Sequence, residues 1–375
     1  MKRTILFLLL LLSTLAQAQE PPVYLGGVFN LSGAQSGLDE PSYQGAKLAV
    51  DLANRKGGLL GGRLEMVLVS GDSEVTSIET LIRSALTEQP RISAFLGLSD
   101  SDQVLAAARV CAEEEILFLT SGATSPRLPG QVPNYLFLAC FGDNVQAAAG
   151  AEFAYQSLEA RRVLVVYDDS MEYTRLLQGY FQTRFKQLGG DVIAVKSYEK
   201  DDFSQVVVPD DPFDLVYLAA GPQDVLPGIY HLRKAGYTGP IMGGDGYDND
   251  AWQGQAELDD IYFTTHAYLG KDNPSPIVQR FRRDYRRKYK QDPDAFAGLG
   301  FDAMNLLITA VRRSSRNPSA VLAALDSIDD FEGVTGRISF AGGNRVPRKS
   351  VTVVSVKKGR AEFAEEFVPK EVPAP

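Results

Sequence analysis

Short runs of Val, Leu, Ile and Phe alternate along the chain with stretches in which apolar residues recur every three to four positions. The runs Val23–Phe29, Leu64–Val69, Ala94–Leu98, Ile116–Thr120, Tyr135–Phe141, Val163–Tyr167, Asp191–Val195, Asp214–Ala219 and Ile261–Thr265 have the length and continuity of strands buried on both faces. The segments between them are long enough to return as helices. Over Pro41–Arg55, for example, Tyr43, Ala46, Ala49, Val50 and Ala53 share one face, and Gly57-Gly58 ends the helix. Repeated strand–helix units predict an α/β fold with parallel, doubly wound sheets. The alternation restarts at Val163 after the run that ends at Phe141, which predicts two lobes rather than one large sheet. Val351–Val356 and Ala361–Phe367 flank Lys358-Gly359 and read as strand, turn, strand. This pair need not belong to the lobe that precedes it, so a discontinuous second lobe is expected.

Ahead of this pattern stand a basic Met1-Lys2-Arg3, an unbroken apolar run from Ile5 to Leu12, and Ala16-Gln17-Ala18, the small-x-small form cut by signal peptidase. Residues 1–18 are therefore expected to be an export leader. A helix of about eight residues spans only ~12 Å, far short of the ~30 Å hydrocarbon core. With no cysteine near the cleavage site, a lipid anchor is not expected, and the mature chain is placed in the periplasm. No second stretch reads as apolar enough to cross a bilayer.

Composition narrows the function. At 45% apolar and 23% charged, the chain is neither disordered nor a coiled coil. Its 38 Lys and Arg against 47 Asp and Glu give a formal charge of −9, which loss of Lys2 and Arg3 would deepen, so nucleic acid is not an expected partner. Cys111 and Cys140 leave two readings open, a pair of buried thiols or a single bridge. His231 and His266 lack metal-ligand spacing and read as structural; no metal and no cofactor are expected. Neither G-x-x-x-x-G-K-[ST] nor G-x-S-x-G occurs, and Gly57–Gly62 follows a helix and leads into a strand, the reverse of a dinucleotide fingerprint. Nothing here points to an enzyme. The basic stretch Arg280–Tyr289 carries aromatics at 281, 285 and 289, predicting one buried helical stripe with its cations on the solvated face.

Two strand ends are rich in small hydroxyl residues: Ser99-Asp100-Ser101-Asp102, before a helical stretch Gln103–Glu114, and Ser121-Gly122-Ala123-Thr124-Ser125-Pro126. Open α/β sheets bind ligands beyond the carboxyl ends of their strands, where helix N-termini present free N–H groups. Neighbouring loops of this kind suit a carboxylate. Ordinary helix capping by Ser and Asp accounts for the same residues.

At these residues the chain resembles the type I periplasmic binding proteins, specifically the substrate-binding subunits of branched-chain amino acid ABC transporters. The resemblance runs through Leu31-Ser32-Gly33, Gln44–Val50, the block Asn54–Glu65, Asp72, Phe95-Leu96-Gly97, Ser121–Pro126, Val163–Asp168 and Gly298–Ala303. It implies two Rossmann-like lobes with parallel central sheets, joined by three crossovers, with the ligand closed between them. The expected division is 19–142 plus 269–348 for the N-terminal lobe and 143–268 plus 349–375 for the C-terminal lobe. Ser101 and Thr124 fall at the family's hydroxyl positions for the α-carboxylate, with Gly122 beside them. Tyr173 matches a ligand-facing tyrosine of the other lobe, and Asp245 the acid that receives the α-ammonium. Leu38 and Phe296 match apolar residues of the side-chain pocket. The family carries glutamate where this chain has Asp245, and a second tyrosine where it has Pro222. Asp245, within Gly243–Gly246, would alternatively cap its own turn. The implied function is non-enzymatic: a monomeric receptor delivering a small carboxylated ligand, of the branched-chain amino acid type, to an ABC permease. Signalling to a membrane kinase or chemoreceptor, or binding of an amide, urea or aromatic acid, are the alternatives.

Overall fold

The computed structural model describes residues 20–375 apart from 250, 251, 253, 341, 342, 344 and 348; the expected leader lies outside the described residues. From its first strand the chain alternates as the hydrophobic pattern predicts: β1 (Val23–Asn30), α1 (Ser36–Arg55), β2 (Leu64–Gly71), α2 (Val75–Glu88), β3 (Ile92–Gly97), α3 (Ser101–Glu113), β4 (Phe118–Thr120), α4 (Leu128–Gln131) and β5 (Leu136–Leu138). These five strands form one parallel sheet in the order β2-β1-β3-β4-β5. The chain then crosses over to α5 (Asp143–Gln156), β6 (Arg162–Asp168), α6 (Glu172–Gln187), β7 (Asp191–Tyr198), β8 (Leu215–Ala219), α7 (Val225–Lys234), β9 (Ile241–Gly243) and β10 (Ile261–Thr265). A second crossover leads to α8 (Pro276–Tyr289), α9 (Ala295–Arg313), α10 (Pro318–Asp326) and the hairpin β11 (Phe331–Gly333) and β12 (Gly336–Ile338). A third leads to β13 (Val351–Lys357) and β14 (Arg360–Phe367).

The second sheet runs β7-β6-β8-β9-β10-β13-β14. It is parallel through β10, and β13 and β14 are added antiparallel. Helices cover the faces of both sheets. Leu306, Leu307 and Val311 of α9 pack with Ala46, Ala49 and Val50 of α1 on one face of the first sheet, while α2 and α3 cover the other. The second sheet is covered by α5 and α6 on one face and α7 on the other. Each fully buried Leu, Ile or Phe side chain of these cores contributes roughly 1.5–3 kcal/mol.

The glycine-rich block after α1 folds as its sequence requires. Gly58 N–H donates to Ala53 O at 3.0 Å and Gly57 N–H to Asn54 O at 3.1 Å, the paired bonds of a Schellman stop. Gly57 and Gly58 have positive φ, +101° and +81° respectively. Asn54 then stitches the helix to the next strand, donating from Nδ2 to Leu64 O and accepting from Leu64 N–H, both at 2.8 Å. A second use of glycine lies between helices. A Cβ on Gly45 of α1 would stand 1.9 Å from Ala297 O, and one on Gly300 of α9 would stand 1.9 Å from Ser42 O, so the two backbones touch.

Several sequence expectations are corrected. The first helix begins at Ser36 rather than Pro41; Leu38 and Asp39 N–H groups close on Gln35 O, and Pro41 sits inside the helix. Strand β5 spans only Leu136–Leu138; Ala139 N–H still donates to Thr120 O of β4 at 2.9 Å, and the chain then turns into the crossover. Strands β9, β11 and β12 were too short for periodicity to reveal. On α8 the aromatic stripe is real, but Arg282 joins it: the side chain is buried, bonded to Leu269 O and paired with Asp292. Helix α9 is long and apolar enough to cross a membrane by length and composition, contrary to the sequence reading, and most of it is buried inside the lobe. Cys111 and Cys140 are both buried free thiols, whose ionisation burial disfavours.

Candidate functional site

In the first sheet strand order reverses between β1 and β3, and in the second between β6 and β8. At such switch points neighbouring loops part in opposite directions and leave a crevice beyond the carboxyl ends. The two crevices face each other. A cavity of about 20 Å³ lies between them, walled by Gln35 and Leu38 after β1, Ser99 and Asp100 after β3, and Thr124 after β4. The opposite wall is Met171 and Tyr173 after β6, Pro222 after β8, and Asp245 and Gly246 after β9. The corresponding strands of each lobe thus contribute to one site. A larger cavity of about 540 Å³ meets it at Pro222 and forms the mouth, lined by Glu40, Pro41, Gln44, Asp294 and their neighbours on one side and by Gln223 and Asn249 on the other. Across the cleft, Ser125 Oγ donates to Glu172 Oε1 at 3.3 Å.

The first-lobe wall is held by a buried network. Asp39 Oδ2 accepts from Asn30 N–H at 2.9 Å and from Asn30 Nδ2 at 2.7 Å. Asn30 Nδ2 also reaches Gln103 Oε1 at 2.8 Å, and Gln103 N–H donates to Asp100 Oδ1 at 3.0 Å, the N-cap of α3. This fixes the loops on both sides of the switch point. Burial pushes Asp39 up to about 7 and Asp100 up to about 6. Ser101 is the first residue of α3, and its Oγ is buried without a hydrogen-bond partner.

On the second-lobe wall Asp245 is held by side chains, not by its own turn. Its Oδ1 accepts from Gln146 Nε2 and from Tyr173 OH, both at 2.9 Å, and its Oδ2 lies 2.9 Å from His266 Nε2. A carboxylate offers about four acceptor sites, and these three donors occupy all but one. Burial holds His266 below its ordinary value, so at neutral pH the ring is neutral and donates from Nε2. It stacks on Phe141 at 3.9 Å and meets Phe296 edge-on at 5.9 Å. Asp143, at the start of α5, accepts from the same Gln146 Nε2 at 2.9 Å, with the Thr124 side chain also bonded to it. Burial and the nearby charge of Asp245 push Asp143 up to about 8.

Of the sequence-derived candidates, Leu38, Thr124, Tyr173 and Asp245 line the cavity. Ser101, Gly122 and Phe296 do not: they form the layer behind it. A Cβ at Gly122 would come within 2.6 Å of Ser99 Oγ and 2.9 Å of the Phe296 ring, which shows how closely that layer is packed. Sequence reasoning missed Gln35, Asp100 and Met171 as wall residues and took His266 as merely structural. The strand ends carried a signal for Asp100; nothing local in the sequence links His266, Gln146 and Asp143 to Asp245.

Comparison with known proteins agrees with this architecture. The chain is 22% identical over 371 residues to the Leu/Ile/Val-binding protein homolog 8 of Brucella abortus, covering 93% of this chain and 91% of that one. It superposes on the branched-chain amino acid transporter substrate binding protein LivJ of Streptococcus pneumoniae, solved with isoleucine, with a TM-score of 0.86 and 26% identity over 93% of this chain and all of that one. A solute binding protein of R. palustris, solved with benzoate, shares the fold at a TM-score of 0.82 and 18% identity, with coverage of 94% and 98%. A family model described as periplasmic binding protein matches residues 22–361. With two doubly wound lobes facing one another across a cleft and that match spanning nearly all of it, the chain belongs to the periplasmic binding protein family.

Proposed function

We propose that this protein is an exported, monomeric receptor that captures an L-α-amino acid between its lobes and presents it to an ABC permease. It is read as a receptor rather than an enzyme because its family is one of substrate-binding proteins. Residues 1–18 direct export and are then removed, without a lipid anchor, and the lobes divide as 19–142 plus 269–348 and 143–268 plus 349–375. The observation that carries the reading is the polarity of the cavity. Thr124 lies on one wall, with the unpartnered Ser101 hydroxyl behind it, and Asp245 with one remaining acceptor site lies on the other. The hydroxyls suit an α-carboxylate; Asp245 suits the α-ammonium, with Tyr173, Gln146 and His266 orienting it.

Calorimetry with a panel of L-α-amino acids and their deaminated counterparts tests this. An amino acid binds and its deaminated form does not, and Asp245→Asn weakens binding more than tenfold, since an unpaired buried charge partner costs about 2–5 kcal/mol. Thr124→Ala and Ser101→Ala each weaken it about 10- to 150-fold. Deaminated acids that bind as tightly as any amino acid would overturn the assignment.

A further inference from the structure

The charge of the cleft carries the reading one step further. Asp100 stands on the first-lobe wall of the inner cavity and Asp245 on the second-lobe wall, while Glu40 and Asp294 line the mouth. Among the described residues no lysine or arginine lines either space. Closing two lobes that each bring a carboxylate to the same small cavity is repulsive unless a cation lies between them. Asp245 has one acceptor site for an α-ammonium, as described above. Asp100 is a second acid, and its Oδ2 accepts a long bond, 3.4 Å, from Gln35 Nε2. Gln35 is itself 5% exposed and lines the cavity. The same cavity is also lined by Leu38, Met171 and Pro222, apolar residues suited to a methylene stem. The unpartnered, buried Ser101 hydroxyl follows directly after Asp100 in the chain, in the layer behind this wall.

We infer that the ligand is an amino acid with a cationic side chain, its α-ammonium meeting Asp245 and its side-chain cation meeting Asp100 and the Gln35 amide oxygen. This rests on the amino acid reading of the site and departs from the branched-chain class. The acids at the mouth add a field that draws cations toward the cleft.

The test is calorimetry of the mature protein with L-lysine, L-ornithine, L-arginine, L-leucine, L-isoleucine and benzoate, repeated on Asp100→Asn. Asparagine is as good an N-cap as aspartate, so this variant removes the charge and keeps the start of α3. At least one cationic amino acid is expected to bind ten times more tightly than leucine and isoleucine. Asp100→Asn is expected to weaken that ligand about 10- to 150-fold, while its melting temperature without ligand stays close to the parent's. Tighter binding of leucine or isoleucine than of every cationic amino acid overturns the inference, as does unchanged binding of the cationic ligand by Asp100→Asn. Binding of benzoate with no amino acid bound would instead overturn the amino acid reading beneath it.

Discussion

Asp143 shows how much a single buried side chain reports about the site. Its ordinary value is 3.8 and the folded protein raises it to about 8, so the folded chain holds a proton that the unfolded chain releases. Its contribution to stability is complete below about pH 4 and is lost as pH rises toward 8. Asp143→Asn cannot ionise, and its melting temperature should fall less between pH 5 and pH 8 than that of the parent. Melting curves at both pH values decide the matter; parallel behaviour would mean that Asp143 is not protonated in the folded state. At this scale the sequence was only partly legible. Thr124 and Asp245 lie on strand-end loops, where general rules place ligands. Gln146 and His266 sit in a helix and a crossover, and only the packing of α5 on the second sheet and the pairing of β10 with β9 bring them to Asp245 across 99 and 21 residues of sequence.

At the scale of elements, the contact between α1 and α9 opposes two effects of known size. Replacing Gly45 by alanine favours the helix by about 1 kcal/mol. The added Cβ, however, would stand 1.9 Å from a backbone oxygen of α9, and such overpacking costs about 1–3 kcal/mol because neither helix can yield without opening the core. The second effect should win: Gly45→Ala is expected to lower the denaturant midpoint, and a raised midpoint would show that α9 moves aside. The strand–helix alternation was readable because strands buried on both faces leave continuous apolar runs. Strand β9, with only Ile241, Met242 and Gly243, was not, since three residues cannot display a period. Pro41 misled the placement of α1, because proline is common in a first turn and the true first turn is held by Gln35 O instead.

For the whole molecule, the inner cavity of about 20 Å³ has room for a single water, whereas small-molecule sites run to roughly 300–1,000 Å³. The lobes must therefore part for a ligand to enter and settle around it afterwards. Small-angle scattering is expected to show a smaller radius of gyration at saturating ligand than without it; an unchanged value would mean that the lobes do not move. Where the bending falls follows from the crossovers. Lys349, on the third, is buried and donates to Thr335 Oγ1 at 2.7 Å and to Ala139 O of the first crossover at 3.4 Å, and Thr335 is bonded in turn to Asp302 of α9 at 2.7 Å. These bonds rivet two of the three connections to the first lobe. The fulcrum then lies on the far side of the rivet, so the second lobe is the lever that swings while the Thr124 wall stays fixed.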